Sequence, residues 1–484
     1  MKLSRFAAPL LLILLMVGVT ACDSGSDPSD PPGINGPALQ LEGGRGTTVD
    51  VSLNLEAEAG LQSLSVSVNG GAAEAVSIQA GAEQQDVTYM FTIPADSRLG
   101  DAYALVFTLT DEDDVTSTIT ANVTTSKLIE TPTTYTFTRN GQSTVNYDGQ
   151  NDRLAHVEEI KALLRTADNG AVITEQALLD MFGNTGDNGG GNFSFTSDRQ
   201  LRNKTFELDI PLFEGLFASA ATASQAGAAG TVATNGTAGL IERASGSTIL
   251  VDENGREFVQ LIEKGLMGAV FYNQIYNVYL TDTRIGDDVE NTALSEGRNY
   301  TAMEHHWDEA FGYFNPPLDF TSPWPSDRRD EDRFWANYST TVDNVDGNGT
   351  LGTNARLMTA YLEGRAAIVN NDLATKDTQR DALYQLHDLV TAGTAVHYIN
   401  DTLEALDQNE IGEAFHVLSE AWAFTNALKY NPNRVLSVQE IETIMESDYG
   451  ADGNFWNVTP AGLNAAKAKL VAAYPELAPV QDDL

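Results

Sequence analysis

Two stretches of this 484-residue chain carry side chains that could do chemistry together. In Asn299-Tyr-Thr-Ala-Met-Glu-His-His-Trp-Asp-Glu-Ala-Phe-Gly-Tyr-Phe314, a chain with six histidines sets two side by side among three carboxylates. Turned at about 100° per residue, Met303, Trp307, Ala310, Phe311 and Phe314 form one apolar stripe. His306 lies at its edge, with Glu309 three residues on as its neighbour. His305 points away from the stripe, and Glu304 lies at the opposite edge. The coherent pair is therefore His306 with Glu309, which suits a metal ligand set and a structural hydrogen bond equally well.

The second stretch is Asn409–Leu428, where Glu413, His416 and Glu420 fall at i, i+3 and i+7 on one face. Ile411, Ala414, Phe415, Leu418 and Trp422 make the other face. A surface helix would leave the polar face in water. One or two turns later, however, Ala423, Phe424 and Ala427 make the helix apolar all round, so burial is expected. Buried carboxylates beside an imidazole need partners, and a cation satisfies all three. Glu-x-x-His is half of a di-iron carboxylate arrangement, but the second half is absent from the sequence. On the preceding helix His397, Asp401 and Glu404 share a flank. A turn at Asp407-Gln-Asn409 would make the two helices an antiparallel hairpin. At ~1.5 Å rise per residue, His397 and His416 then lie within about one turn of each other in height. One shared site and two unrelated buried histidines both fit. His156 and His387 read as structural.

Other chemistries lack their motifs. The chain has no His-Glu-x-x-His, no phosphate-cradling glycine loop, no dinucleotide fingerprint and no Gly-x-Ser-x-Gly. Val342-Asp-Asn-Val-Asp-Gly-Asn-Gly349 has the composition of a calcium loop but not its ligand spacing. The balance of 28 basic against 68 acidic residues, a net charge of −40, argues against nucleic acid as a partner. An acid-rich surface suits a protein working in concentrated salt, where self-repulsion is screened.

The elements that must hold these residues follow from periodicity. Lys2 and Arg5, an apolar run from Ala7 to Val19 and then Val19-Thr-Ala-Cys22 have the layout of a lipoprotein signal, so residues 1–21 are expected to be removed. Cys22, the chain's one cysteine, would then carry the lipid that anchors the protein to a membrane. Residues 22–37 read as a disordered tether. Residues 38–127 alternate with period two: Val49 to Leu55, Leu64 to Val68 ending in Asn69-Gly70, Val87 to Ile93, Tyr103 to Leu109 and Ser117 to Val123. That pattern predicts an immunoglobulin-like β-sandwich acting as a spacer. The acidic turn Asp111–Asp114 suits calcium or a plain solvated hairpin, the hairpin being the commoner case. Residues 134–484 are helical in period, with expected helices at Thr301–Phe314, Arg356–Asn370, Thr378–Leu406, Glu410–Leu428, Val438–Glu446 and Pro460–Tyr474. A long helix through Phe258–Phe271 contains Gly265 and Gly268, which call for a close helix neighbour. The small-residue run Ala218–Gly239 reads as a mobile loop.

Several blocks together, "YTFTRNGQSTVNYDGQNDR", "EKGLMGAVFYNQ", "MEHHWDEAFGYF", "YLEGRAAI" and "AFHVLSEAWAF", resemble a family of bacterial lipoproteins known as domain of unknown function 4856, from about Thr134 onward. That family is in turn similar to imelysin-like proteins, all-α periplasmic or surface proteins linked to iron uptake, which carry a Gly-x-His-x-x-Glu motif. His306 and Glu309 match its histidine and glutamate, while Glu304 stands in place of its glycine. The resemblance implies an imelysin-like helical body on an outer-membrane lipoprotein facing the periplasm or cell surface. It would bind iron, another divalent metal or haem for uptake, with an outer-membrane receptor as partner. His306, Glu309, Glu413 and His416 are the expected ligands, with Glu420 and His397 beside them. The alternatives are a non-catalytic partner-binding or scaffold lipoprotein and a metal-dependent peptidase, in which an open metal position activates water.

Overall fold

The computed structural model describes residues 30–343, 345 and 350–484; the expected signal peptide, Cys22 and the start of the tether lie outside them. Two compact units divide the chain. Thr48–Thr92 and Ala102–Thr124, with the chain up to Glu42, make the first; Gly43–Thr47, Ile93–Asp101 and Thr125–Leu484 make the second.

The first unit is β-rich. Its strands are β1 (Gly33–Asn35), β2 (Gln40–Gly44), β3 (Thr48–Glu56), β4 (Leu61–Val68), β5 (Glu74–Val76), β6 (Gln84–Thr92), β7 (Ala102–Asp111) and β8 (Thr116–Ser126). They form a three-stranded sheet in the order β1-β3-β6 and a five-stranded sheet in the order β2-β8-β7-β4-β5. Alternation puts Val51, Leu53 and Leu55 of β3 and Leu105, Phe107 and Leu109 of β7 inside. The sheets meet through Tyr89 against Phe107 and Phe91 against Tyr103, with ring centroids 5.5 and 5.3 Å apart. Asn69 and Gly70 both take positive φ (51° and 73°) in the turn that the Gly71 amide closes on the Val68 carbonyl, within the longer link from β4 to β5. In the acidic turn Asp111 Oδ1 accepts from the Asp113 and Val115 amides, so that carboxylate closes a hairpin.

The second unit is helical. It comprises α1 (Asp148–Asp168), α2 (Glu175–Gly183), α3 (Ile210–Ala228), α4 (Phe258–Leu266), α5 (Asp282–Ile285), α6 (Ala302–Phe314), α7 (Trp335–Asp343), α8 (Thr353–Asn370), α9 (Leu373–Asp407), α10 (Ile411–Ala427), α11 (Val438–Thr443) and α12 (Pro460–Ala473). The 35-residue α9 is central, packed against α8, α10 and α12. Asp372 caps it by accepting from the Thr375 amide, and Leu383, Leu386, Val390 and Ile399 belong to its buried face. Asn409, at φ 58°, turns the chain into α10, giving the expected hairpin.

Three sequence expectations change. Gly33–Asn35, inside the expected tether, pairs with β3 as strand β1, because Ile34 can bury its side chain there. The run Ala218–Gly239 is not a loop throughout, because α3 continues to Ala228 before a short hairpin forms. Alanine is the best helix former, and Phe213, Phe217, Ala220 and Ala223 bury that helix. After α4 the helix runs on through widened π-helical turns at Met267–Tyr272 and Ile275–Tyr279. Gly265 and Gly268 do meet close neighbours: a Cβ on Gly268 would fall 2.9 Å from the Ala427 Cβ, and one on Gly265 3.1 Å from the Phe213 ring. Among the described residues no helix is long and apolar enough to cross a membrane.

Candidate functional site

Helix α6 begins with a capping box: the Thr301 hydroxyl accepts from the Glu304 amide, and Glu304 accepts from the Thr301 amide. Glu304 also pairs with Arg139 at 2.8 Å and with Arg365 at 3.3 Å, which accounts for a carboxylate at that position. Asp308, one turn on, accepts from Arg365 Nε and the Tyr135 hydroxyl, both at 2.8 Å. Arg365, Glu304 and Asp308 have no exposed side-chain surface. The blocks around Tyr135–Arg139, Glu304–Asp308 and Arg365 therefore converge on one buried ion network.

On the other flank of α6, His306 Nδ1 lies 3.2 Å from Glu309 Oε2, as its spacing anticipated. His305, expected to point away, instead brings Nε2 to within 3.8 Å of Glu309 Oε1 while its ring stacks on Tyr300. Residues i and i+4 are also helix neighbours, and the aromatic platform holds the ring there. Gln150 of α1 donates to Glu309 Oε1 at 3.0 Å. Burial acts to raise the Glu309 pKa, but the His306 hydrogen bond, the His305 charge and the Gln150 amide hold it below the usual range.

The α10 residues are engaged elsewhere. Glu413 accepts both arms of the Arg243 guanidinium at 2.9 and 2.6 Å, a bidentate pair that fixes its orientation. His416 sits between two carboxylates, with Nδ1 2.6 Å from Glu257 and Nε2 3.5 Å from Glu420. His397 Nε2 lies 3.4 Å from Asp401 on its own helix. Among the described residues no group of three or more His, Cys, Asp or Glu side chains is placed to hold a metal ion. The expected convergence of His306, Glu309, Glu413, His416, Glu420 and His397 on a shared cation is thus not met. The reason is physical: Arg243 already holds Glu413 and Glu257 already holds His416, partners from distant segments that spacing within one helix cannot reveal.

His156 and His387 are core residues. His156 stacks on Phe193 and its pKa falls to about 4 through burial. His387, pushed to about 3 by burial, shares a 2.9 Å hydrogen bond with Tyr361.

His416 carries a pH prediction. Burial acts to lower its pKa, yet the hydrogen bond and charge of Glu257 outweigh this and the net shift is upward. The stabilisation is therefore complete below about pH 6.5, the ordinary histidine value, and fades as pH rises through the folded-state pKa. In urea unfolding, His416→Asn is expected to cost more at pH 6 than at pH 9. An equal cost at both would mean that the imidazolium contributes nothing.

Open chemistry lies on another face of the helical unit. A cavity of about 220 Å³ is bounded by α9 (Tyr384, Gln385, Asp388), the segment after α10 (Asn431, Asn433, Val435) and the end of α12. A cavity of about 350 Å³ shares Gln385 and Glu476 with it, and one of about 410 Å³ shares Val435 and Ala473. The three adjoin as a groove with the 3 %-exposed Asp388 at its middle. Tyr474 and Tyr276 present their hydroxyls to that carboxyl at 3.2 and 3.4 Å. Burial pushes the Asp388 pKa up to about 7 against the hydrogen bonds of Asn431, Tyr474 and Tyr276. No sequence motif marked Asp388; an aspartate flanked by Leu386, Leu389 and Val390 on a helix was the available signal.

The molecule is thus a β-rich unit followed by a helical unit in which Glu304, Asp308 and Glu413 are paired with arginines and whose surface bears a groove. The chain belongs to the family described as Domain of unknown function (DUF4856), which matches residues 132–475. No curated protein matches it.

Proposed function

We propose that this is a non-catalytic binding lipoprotein of the cell envelope, anchored in the outer membrane through lipid on Cys22, that takes a small ligand in the α9–α12 groove. The immunoglobulin-like β-rich unit serves as its spacer. The observation that carries the reading is the groove, where Gln385, Asn433 and Asp388 line a partly apolar recess. A recess with a few placed polar groups is the usual form of a small-ligand site. Thermal unfolding of the mature chain against amines, amino acids, sugars and divalent metals tests it. A ligand that raises Tm, and no longer does so when Ala473→Trp fills the groove, is the expected result. Ligand stabilisation indifferent to that substitution would refute it.

A second reading, metal capture within an imelysin-like iron-uptake system, is favoured by one observation: Glu309 gathers both His305 and His306. It requires that protein purified without an affinity tag retain a transition metal, and that His305→Ala with His306→Ala abolish this. Protein with far less than one equivalent of metal would exclude it.

A further inference from the structure

The groove's middle cavity has a floor of unusual chemistry. Asp388 is almost fully buried, yet its hydrogen-bond partners are neutral: the Tyr276 and Tyr474 hydroxyls and the Asn431 amide. The Arg434 guanidinium acts on it as a weaker, through-space attraction. Several other buried acids in this unit sit against cations, as Glu304 and Asp308 do with Arg365 and Glu263 does with Lys264. Asp343 and Asp168 share with Asp388 neutral hydrogen-bond donors, but neither lines this cavity. Tyr384 and Tyr474 line the cavity beside Asp388, with Leu389 and Ala473 completing the apolar part. An acid at the base of an aromatic recess attracts a cation twice, through its charge and through the ring quadrupoles. The chain's net charge of −40 adds long-range attraction of the same sign.

We propose that this cavity binds an organic ammonium ion, its nitrogen on the Asp388 carboxylate and its hydrocarbon part between Tyr384 and Tyr474. The inference rests on the groove reading above and names its ligand class. A cation in the recess stabilises the carboxylate, so binding takes the ionised form and releases a proton from the neutral one. The groups facing Asp388 are Tyr276 from the π-helical turn after α4, Tyr474 at the end of α12, and Asn431 with Arg434 on the segment after α10. Glu476 lines the same cavity nearer its mouth. The tyrosines facing Asp388 stay neutral, since burial holds Tyr276 and Tyr474 well above the ordinary phenol range. Affinity for an alkylammonium therefore rises from pH 6 to pH 8.

Calorimetric titration of the mature chain with pentylamine, hexan-1-ol and pentanoate tests this. Pentylamine is expected to bind at one site, more tightly at pH 8 than at pH 6. Asp388→Asn, which keeps size and hydrogen bonding, is expected to weaken it at least about tenfold, the scale of a lost charge-assisted contact. Because Asp388→Asn alters a buried group, Ala473→Trp provides a second variant outside the hydrogen-bond network, and it should also abolish binding. Hexan-1-ol or pentanoate binding as well as pentylamine, with both blocked by Ala473→Trp, would overturn the cation and leave the groove. Absence of binding by all three would overturn the cation and leave the groove to the wider ligand test above.

Discussion

Arg365→Met is expected to destabilise the helical unit by about 3–5 kcal/mol, the cost of removing one partner from a buried ion network. Arg365, Glu304 and Asp308 are wholly buried. Glu304 keeps Arg139 and the helix cap after the substitution, but Asp308 keeps only the Tyr135 hydroxyl. Burial already raises the Asp308 pKa to about 6 with the guanidinium present. Without it the shift grows, and the folded state holds a proton that the unfolded chain releases near the ordinary value of about 3.9. Stability of the variant therefore falls as pH rises from about 4 through that raised pKa, and its deficit is larger at pH 8 than at pH 5. Adding Asp308→Asn should recover much of the loss, because the uncompensated charge rather than the missing contact dominates. Urea unfolding of the three proteins checks this. A loss under about 1 kcal/mol, independent of pH, would mean that other groups already satisfy Asp308.

The neighbouring glycine gives the second large effect. Gly364 lies inside α8, where alanine would ordinarily gain about 1 kcal/mol of helix propensity. A Cβ there would overlap the six-membered ring of Trp307. That ring cannot yield readily: it is fully buried, and its Nε1 donates to the Tyr361 carbonyl at 2.9 Å. Overpacking of this kind costs about 1–3 kcal/mol or more, so Gly364→Ala is expected to destabilise despite its propensity gain. Trp307→Phe makes room. The two substitutions should then be clearly non-additive, the double variant lying closer to Trp307→Phe alone than the sum of the two losses allows. Additive losses would show that α8 and α6 do not meet at this point.

These two sites also show what was legible from the residues. The α6 stripe of Met303, Trp307, Ala310 and Phe311 was readable because helical period fixes which side chains share a face, and all four are buried. The His306–Glu309 contact followed from the same geometry. The strands at Val49–Leu55 and Tyr103–Leu109 were legible for the matching reason at period two. What periodicity cannot supply is the partner from a distant segment. Glu413 looked like a free ligand until Arg243, 170 residues away, was placed on it. Likewise Glu257 meets His416 from the start of α4. The Ala218–Gly239 run was misjudged because small residues mark loops by composition, whereas here they let α3 pack closely. Asp388 had only a faint local signature, an aspartate among leucines, since its significance lies in the cavity it lines.

Hydrogen exchange tests the central claim most directly. Amide exchange is followed in the mature chain alone, with saturating pentylammonium, and with saturating Zn²⁺. With pentylammonium, the segments Tyr430–Leu436 and Ala472–Leu477 should slow, while α6 and the start of α1 remain unchanged in all three conditions. Slowing confined to α6 and the Gln150 region on adding Zn²⁺, with the groove segments unaffected by the amine, would contradict the account.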